Sequence, residues 1–310
     1  MQSALTGFTT IGLIVAAGAL LAHLRILGDL QRALLSRLAF LVASPALLFS
    51  LVSSANLTHL FARTLLVSIV AIAAAGLAYL VAARVLFADE GRQRVISWLA
   101  SCYTNAGNLG LPIAAAIMGD MTWMAPIMLL QVGLLQPAAL ALLDLGAARQ
   151  EGTRLHPLTY LTLPFRNPIT VAVLLAFAVN LAGVRLPALL VTPIDMVGAV
   201  AVPAMLLAFG VSLRLDPLPG RGAHAGRLWL IGAIKVVLHP LVAYALGAWV
   251  FGLTRPELLA VTVIAALPSA QNIYVIASRY GVGEVLARDA IFYSTLLSVP
   301  TITLVSALLR

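Results

Sequence analysis

Eight consecutive residues, Asn105-Ala106-Gly107-Asn108-Leu109-Gly110-Leu111-Pro112, place two amides, two glycines and a proline inside the largely apolar run from Val95 to Met118. A second stretch, Pro268-Ser269-Ala270-Gln271-Asn272, interrupts another apolar run in the same way. Side-chain amides both donate and accept hydrogen bonds without carrying charge. Proline removes a helical donor, and glycine weakens the helix around it. The pattern predicts two helices broken in mid-run, with their free backbone N–H groups beside Asn105, Asn108, Gln271 and Asn272. Such ends carry about half a positive charge and suit carboxylates and other anions. Val95 to Gly119 and Leu258 to Gly283 contain no acidic residue, so the expected site is neutral or positive. An organic anion fits it better than a cation. The other reading of such a cluster is a packing kink, where small residues let helices approach closely.

Four further polar residues lie within apolar runs. Lys235 sits about two turns into its run, where it either balances a substrate carboxylate or extends toward the surface. His239 precedes Pro240 and is either a proton carrier or a hydrogen-bonded structural residue. Gln131 and Gln136 either line the same cavity or bond across helices. Tyr103 and Tyr274 flank the breaks and either stack on a ligand or belong to the core. Asp144, Asp195 and Asp289 fall near run ends, where solvation or pairing is expected. No GxGxxG, Walker A, CxxC or HExxH pattern is present, and no Ser-His-Asp set can be assembled. No enzyme activity and no cofactor are expected.

The elements that must position these residues follow from composition. The chain has 310 residues, 62% hydrophobic and 10% charged, with a mean hydropathy of +1.04. Soluble domains carry about 25% charged residues. A span needs about 20 mostly apolar residues. Ten such runs are expected, at about 8–27, 34–54, 64–87, 95–118, 123–145, 167–184, 195–213, 228–251, 258–277 and 290–309. Met1 to Thr10 lacks a basic signal-peptide region, so the first run is expected to remain in the mature protein. The single cysteine, Cys102, allows no internal disulfide and no metal cluster.

Arginine decides orientation. Fourteen arginines fall in odd-numbered connections, from Arg25 to Arg288, against Arg63, Arg185, Arg255 and Arg310 on the other side. Short basic loops stay in the cytoplasm, which predicts both termini outside. The net charge of +8 is then a topology signal rather than a sign of a nucleic-acid partner. The second run contains Pro45-Ala46-Leu47-Leu48 and the seventh Pro203-Ala204-Met205-Leu206, five runs apart. That spacing predicts an all-α polytopic membrane protein of ten transmembrane helices, built as a 5+5 inverted repeat with broken, crossing helices 4 and 9. Aligning Gly119 with Gly281 sets Pro268 to Asn272 opposite Ala106 to Gly110.

The Asn105-x-Gly107-Asn108-x-Gly110-x-Pro112 break, with Pro268 and the Pro-Ala-Leu-Leu element, resembles the auxin efflux carrier family along the whole chain. That family includes plant auxin exporters and bacterial carriers described as malonate or dicarboxylate permeases. The resemblance implies scaffold helices in 1–62 and, after a linker, in 151–220. It implies a moving transport domain from 63–150 and 221–310. It further implies elevator-type alternating access, a homodimer joined through the scaffold, and a small organic anion at the crossover in a bacterial inner membrane. Asn105 and Asn108 match the family's substrate-contacting amides, with Gln271 and Asn272 at the partner break. The connection between the halves is short, as in bacterial members. Related bile acid–sodium symporters carry an acid where this chain has Gln271, which speaks against sodium coupling. A sodium-coupled symporter of that type and a membrane-embedded ligand sensor are the alternatives.

Overall fold

The computed structural model describes residues 2–54, 63–87, 91–110, 113–114, 117–150, 168–184, 186–215, 220 and 224–309. Among them the chain is helical, and the one β feature is an isolated antiparallel bridge between Thr104 and Ser269. The helices are α1 (Gln2–His23), α2 (Asp29–Ser53), α3 (Arg63–Leu86), α4 (Arg92–Cys102), α5 (Pro126–Ala148), α6 (Pro168–Leu181), α7 (Ala188–Leu215), α8 (Ala225–Val250), α9 (Arg255–Ala266), α10 (Asn272–Tyr280) and α11 (Glu284–Leu309). Six of these, α2, α3, α5, α7, α8 and α11, are long and apolar enough to cross a membrane, and α6 and Gly12–His23 are shorter apolar helices. The protein is a multi-pass membrane protein. The expected linker falls mostly in 151–167, outside the described residues.

Proline shapes these helices from within. Besides Leu246–Val250, which precedes no proline closely, wide π turns occupy Ala39–Ala43, Ala106–Gly110, Gln131–Leu135 and Ile234–Leu238. Each ends two residues before a proline in the sequence: Pro45, Pro112, Pro137 and Pro240. A proline ring collides with the carbonyl four residues back and cannot donate to it, and a widened turn relieves the collision.

The two polar stretches behave differently. α9 stops at Ala266 because Leu267, which precedes Pro268, is extended (φ −57°, ψ 147°). In the other stretch the chain leaves the helix at Tyr103 (φ −84°, ψ 117°), before the Asn/Gly cluster rather than within it. Ala106–Gly110 then forms a wide turn closed by Gly110 N–H donating to Asn105 O at 2.9 Å. No proline adjoins Tyr103. That break is held open by its partners: Asn105 N–H donates to Pro268 O at 2.8 Å, and Thr104 N–H to Gln131 Oε1 at 2.6 Å.

Packing sorts the helices into two groups. α1 lies along the second half of α7, and α6 and the first half of α7 pack on α2. Gly18 faces the Leu207 backbone and Gly210 faces Val15 and Ala19, with no space for a Cβ. Small residues of this kind let helices touch backbone to backbone. In the other group α3 packs on α4, α8 and α9, while α11 packs on α8, α9 and α10. The acids at run ends are paired. Asp144 accepts from the Tyr280 hydroxyl at 2.8 Å, and Asp195 accepts from Ser50. Asp289 accepts from Arg288 Nε at 2.7 Å. Arg288 is fully buried and also donates to Ser212 O at the end of α7.

Candidate functional site

The interrupted stretches meet, and their side chains enclose a cavity of about 200 Å³. Its polar wall comes from Tyr103, Thr104, Asn105, Gln271 and Asn272 at the breaks, and from Gln131 and Gln136 on α5. Its apolar wall comes from the other group: Phe40, Leu47 and Leu48 of α2, Ile169 of α6, and Val202 and Met205 of α7. The cavity thus lies between the two groups of helices. Among the described residues no acidic, lysine, arginine or histidine side chain lines it.

The amides are ordered by each other. Asn105, 2% exposed, donates through Nδ2 to Gln271 Oε1 at 2.6 Å, joining one break to the other. Gln131 Oε1 accepts from both the backbone N–H and the hydroxyl of Thr104, at 2.6 and 3.2 Å. Tyr103 OH donates to Gln136 Oε1 at 3.1 Å, and Asn272 Nδ2 reaches both, at 3.2 and 3.1 Å. Asn272 Oδ1 is buried without a partner among the described residues. One half of that amide is therefore left over beside the cavity. Gln271 and Asn272 are also the cap and first residue of α10, so the positive end of that helix faces the same space.

The breaks leave helical groups without their usual partners, and side chains from elsewhere supply them. Ala100 O, whose helical donor would be Thr104 N–H, accepts from Ser269 Oγ at 2.6 Å. Ser269 N–H, freed from Ala265 O, donates to Ser294 Oγ at 3.0 Å. Ala265 O accepts from Lys235 Nζ at 2.9 Å. Several of the backbone groups freed by the breaks are thus paired, as expected where a buried backbone group left unpaired is costly.

The sequence-derived candidates divide accordingly. Asn105, Gly107, Gln131, Gln271 and Asn272 line the cavity. Pro268 is buried behind it and contributes its carbonyl. Gly110 is buried outside it, where a Cβ would lie 2.9 Å from Met124 Sδ and 3.1 Å from Leu267 Cδ1. Lys235 is fully buried and neither reaches the surface nor lines the cavity. Pro112 lies outside the described residues, as does the side chain of Asn108. Thr104, Ser269 and Ser294 carry no signal in sequence, because short hydroxyl residues are common in apolar helices. The apolar wall had one: Leu47, Leu48 and Met205 belong to the two Pro-Ala-(Leu/Met)-Leu elements.

A family profile described as "Membrane transport protein" matches residues 5–153 and 153–306. The chain belongs to the auxin efflux carrier family of membrane transport proteins. Among similar proteins is the "Putative malonate transporter" of Rhizobium meliloti (strain 1021), 30% identical over 294 residues, 87% of this chain and 84% of that one. Another is an "Uncharacterized transporter" of Methanothermobacter thermautotrophicus (strain Delta H), 27% identical over 299 residues, 96% of this chain and 95% of that one. The amide-lined cavity is thus the candidate substrate site of a membrane transporter.

Proposed function

We propose that this transporter is a secondary carrier of small organic acids, with the carboxylate held between the two broken helices. The observation that carries the reading is the cavity itself: five amide side chains and the start of α10 converge on it without a fixed charge. Amide N–H groups and a helix N-terminus stabilise an anion, whereas a cation would find no carboxylate there. About 200 Å³ is small beside the roughly 300–1,000 Å³ of drug-sized sites, which favours a short-chain acid over an indole acid. Malonate, named for the Rhizobium meliloti relative, is the first ligand to try.

The wider arrangement belongs to the same reading. Ten spans form a 5+5 inverted repeat, and spans 4 and 9 are the pairs α4 with Ala106–Gly110 and α9 with α10. The group containing α3, α4, α5 and α8–α11 moves as a transport domain against a scaffold of α1, α2, α6 and α7. The scaffold joins two copies of the chain, in a bacterial inner membrane with both termini outside. Packing supports this division, because the scaffold helices contact one another far more than they contact the rest.

The test is thermal unfolding of the purified protein with a panel of mono- and dicarboxylates, followed by counterflow in proteoliposomes. A ligand that binds only the folded state raises the melting point by mass action. One carboxylate should do so, and Asn105→Ala or Asn108→Ala should weaken it about tenfold or more, equivalent to one lost hydrogen bond to charge. Stabilisation without counterflow would identify a sensor. Stabilisation only by cations would overturn the reading.

A further inference from the structure

Lys235 lies behind the two breaks and remains unused by the cavity. Its ammonium donates to Ala265 O at 2.9 Å and lies 3.1 Å from His239 Nδ1. An ammonium has donors only, so a charged Lys235 makes Nδ1 the acceptor and leaves the His239 proton on Nε2. His239 and Ala265, with Thr104, also border a second, tight space. The turn bearing Lys235 packs on both α4, which ends at Cys102, and α9. Lys235 therefore sits where both interrupted helices end.

The end of a helix carries about half a negative charge on carbonyls that have lost their donors. In broken-helix carriers such ends are where a coupling cation binds. Here Ala265 O is stripped of its donor because Ser269 N–H turns to Ser294, and a side chain of the protein itself fills the vacancy. Among the described residues no carboxylate pairs with Lys235.

We propose that Lys235 is a built-in cation of the crossover, occupying the position of a coupling ion, so that anion binding needs no sodium. This rests on the carboxylate reading of the cavity. Lys235 acts as a positioning residue: it holds the end of α9 and supplies positive charge behind the site without touching substrate. A buried anion is expensive without a counter-charge, and the amides lining the cavity offer only dipoles.

The experiment measures malonate and the other panel carboxylates against wild type, Lys235→Met and Lys235→Arg, in sodium chloride and in choline chloride. Wild type should bind equally well in both salts. Lys235→Met, similar in length but uncharged, should bind about tenfold more weakly in choline, and sodium should restore part of the loss. Lys235→Arg should stay closer to wild type, which a purely packing role would not produce. Sodium-dependent binding by wild type overturns the proposal even if no variant folds. Unchanged affinity of Lys235→Met in choline also overturns it, while leaving the carboxylate site intact. Failure of wild type to bind any carboxylate in either salt instead overturns the reading beneath it.

Discussion

At the level of single residues, the site is a set of amides that fix one another. Gln131 shows how much depends on one of them. Its oxygen is the acceptor for both polar groups of Thr104, which is 1% exposed. Gln131→Ala strands a buried N–H and a buried hydroxyl, and each such group costs about 1–3 kcal/mol. The melting point of the ligand-free protein should fall accordingly. Asn105→Ala should act mainly on ligand affinity, since its bond to Gln271 joins two groups that both face the cavity. Comparing the two variants with and without malonate separates support from binding. Asn105, Gln271 and Asn272 were legible in sequence because amides have no ordinary business in the middle of an apolar run. Thr104 and Ser269 were not, because their role depends on a neighbour far away in the chain.

At the level of elements, prolines place the functional side chains. The wide turns before Pro137 and Pro240 carry Gln131 and Lys235, and the one before Pro112 carries Gly107. Such turns rotate the following residues about the helix axis, and they cluster at functional sites. Helix starts are specified locally too. α9 begins with a capping box in which the Thr254 N–H and hydroxyl both donate to Glu257 Oε2 at 2.8 Å. The backbone bond, then the hydroxyl, holds the Glu257 carboxyl below its usual range, with a smaller contribution from Arg63. Thr254→Ala should lower stability by about 1 kcal/mol at neutral pH. A depressed carboxyl stabilises the fold above its unfolded value, about 4.3, and that benefit disappears as pH falls through the lower, folded value. The melting-point gap between wild type and Glu257→Gln should therefore narrow as the pH drops below about 4. A gap that is constant from neutral to acid pH would show that the carboxylate charge contributes nothing.

At the level of the whole molecule, the cavity exists because two groups of helices face each other across it. One supplies amides and the other supplies Phe40, Leu47, Leu48 and Met205. If transport moves one group past the other, tying them together must stop it. In a Cys102→Ala background, cysteines at Leu48 and Val275, both in the cavity wall, joined by a short reducible bis-thiosulfonate linker should abolish counterflow. Reduction should restore it. Full counterflow in the linked protein would exclude movement between the groups at this point. The cross-link belongs to this scale because it joins one group of helices to the other across the cavity.

The sequence alone determined the membrane class, the apolar helices long enough to span and the interruption at Pro268, since each is a local property: apolar length for a span, and a lost N–H donor for a break. Family membership was legible for the same reason, in the spacing of Asn105, Gly107, Asn108, Gly110 and Pro112. Tertiary structure decided what could not be local. It opened the first break at Tyr103, where no proline acts and only bonds from Pro268 and Gln131 hold the chain extended. It also took Lys235 away from the cavity and set it on Ala265 O. A buried charge goes to the carbonyl that another part of the chain has left without a donor, and only the assembled helices reveal which carbonyl that is.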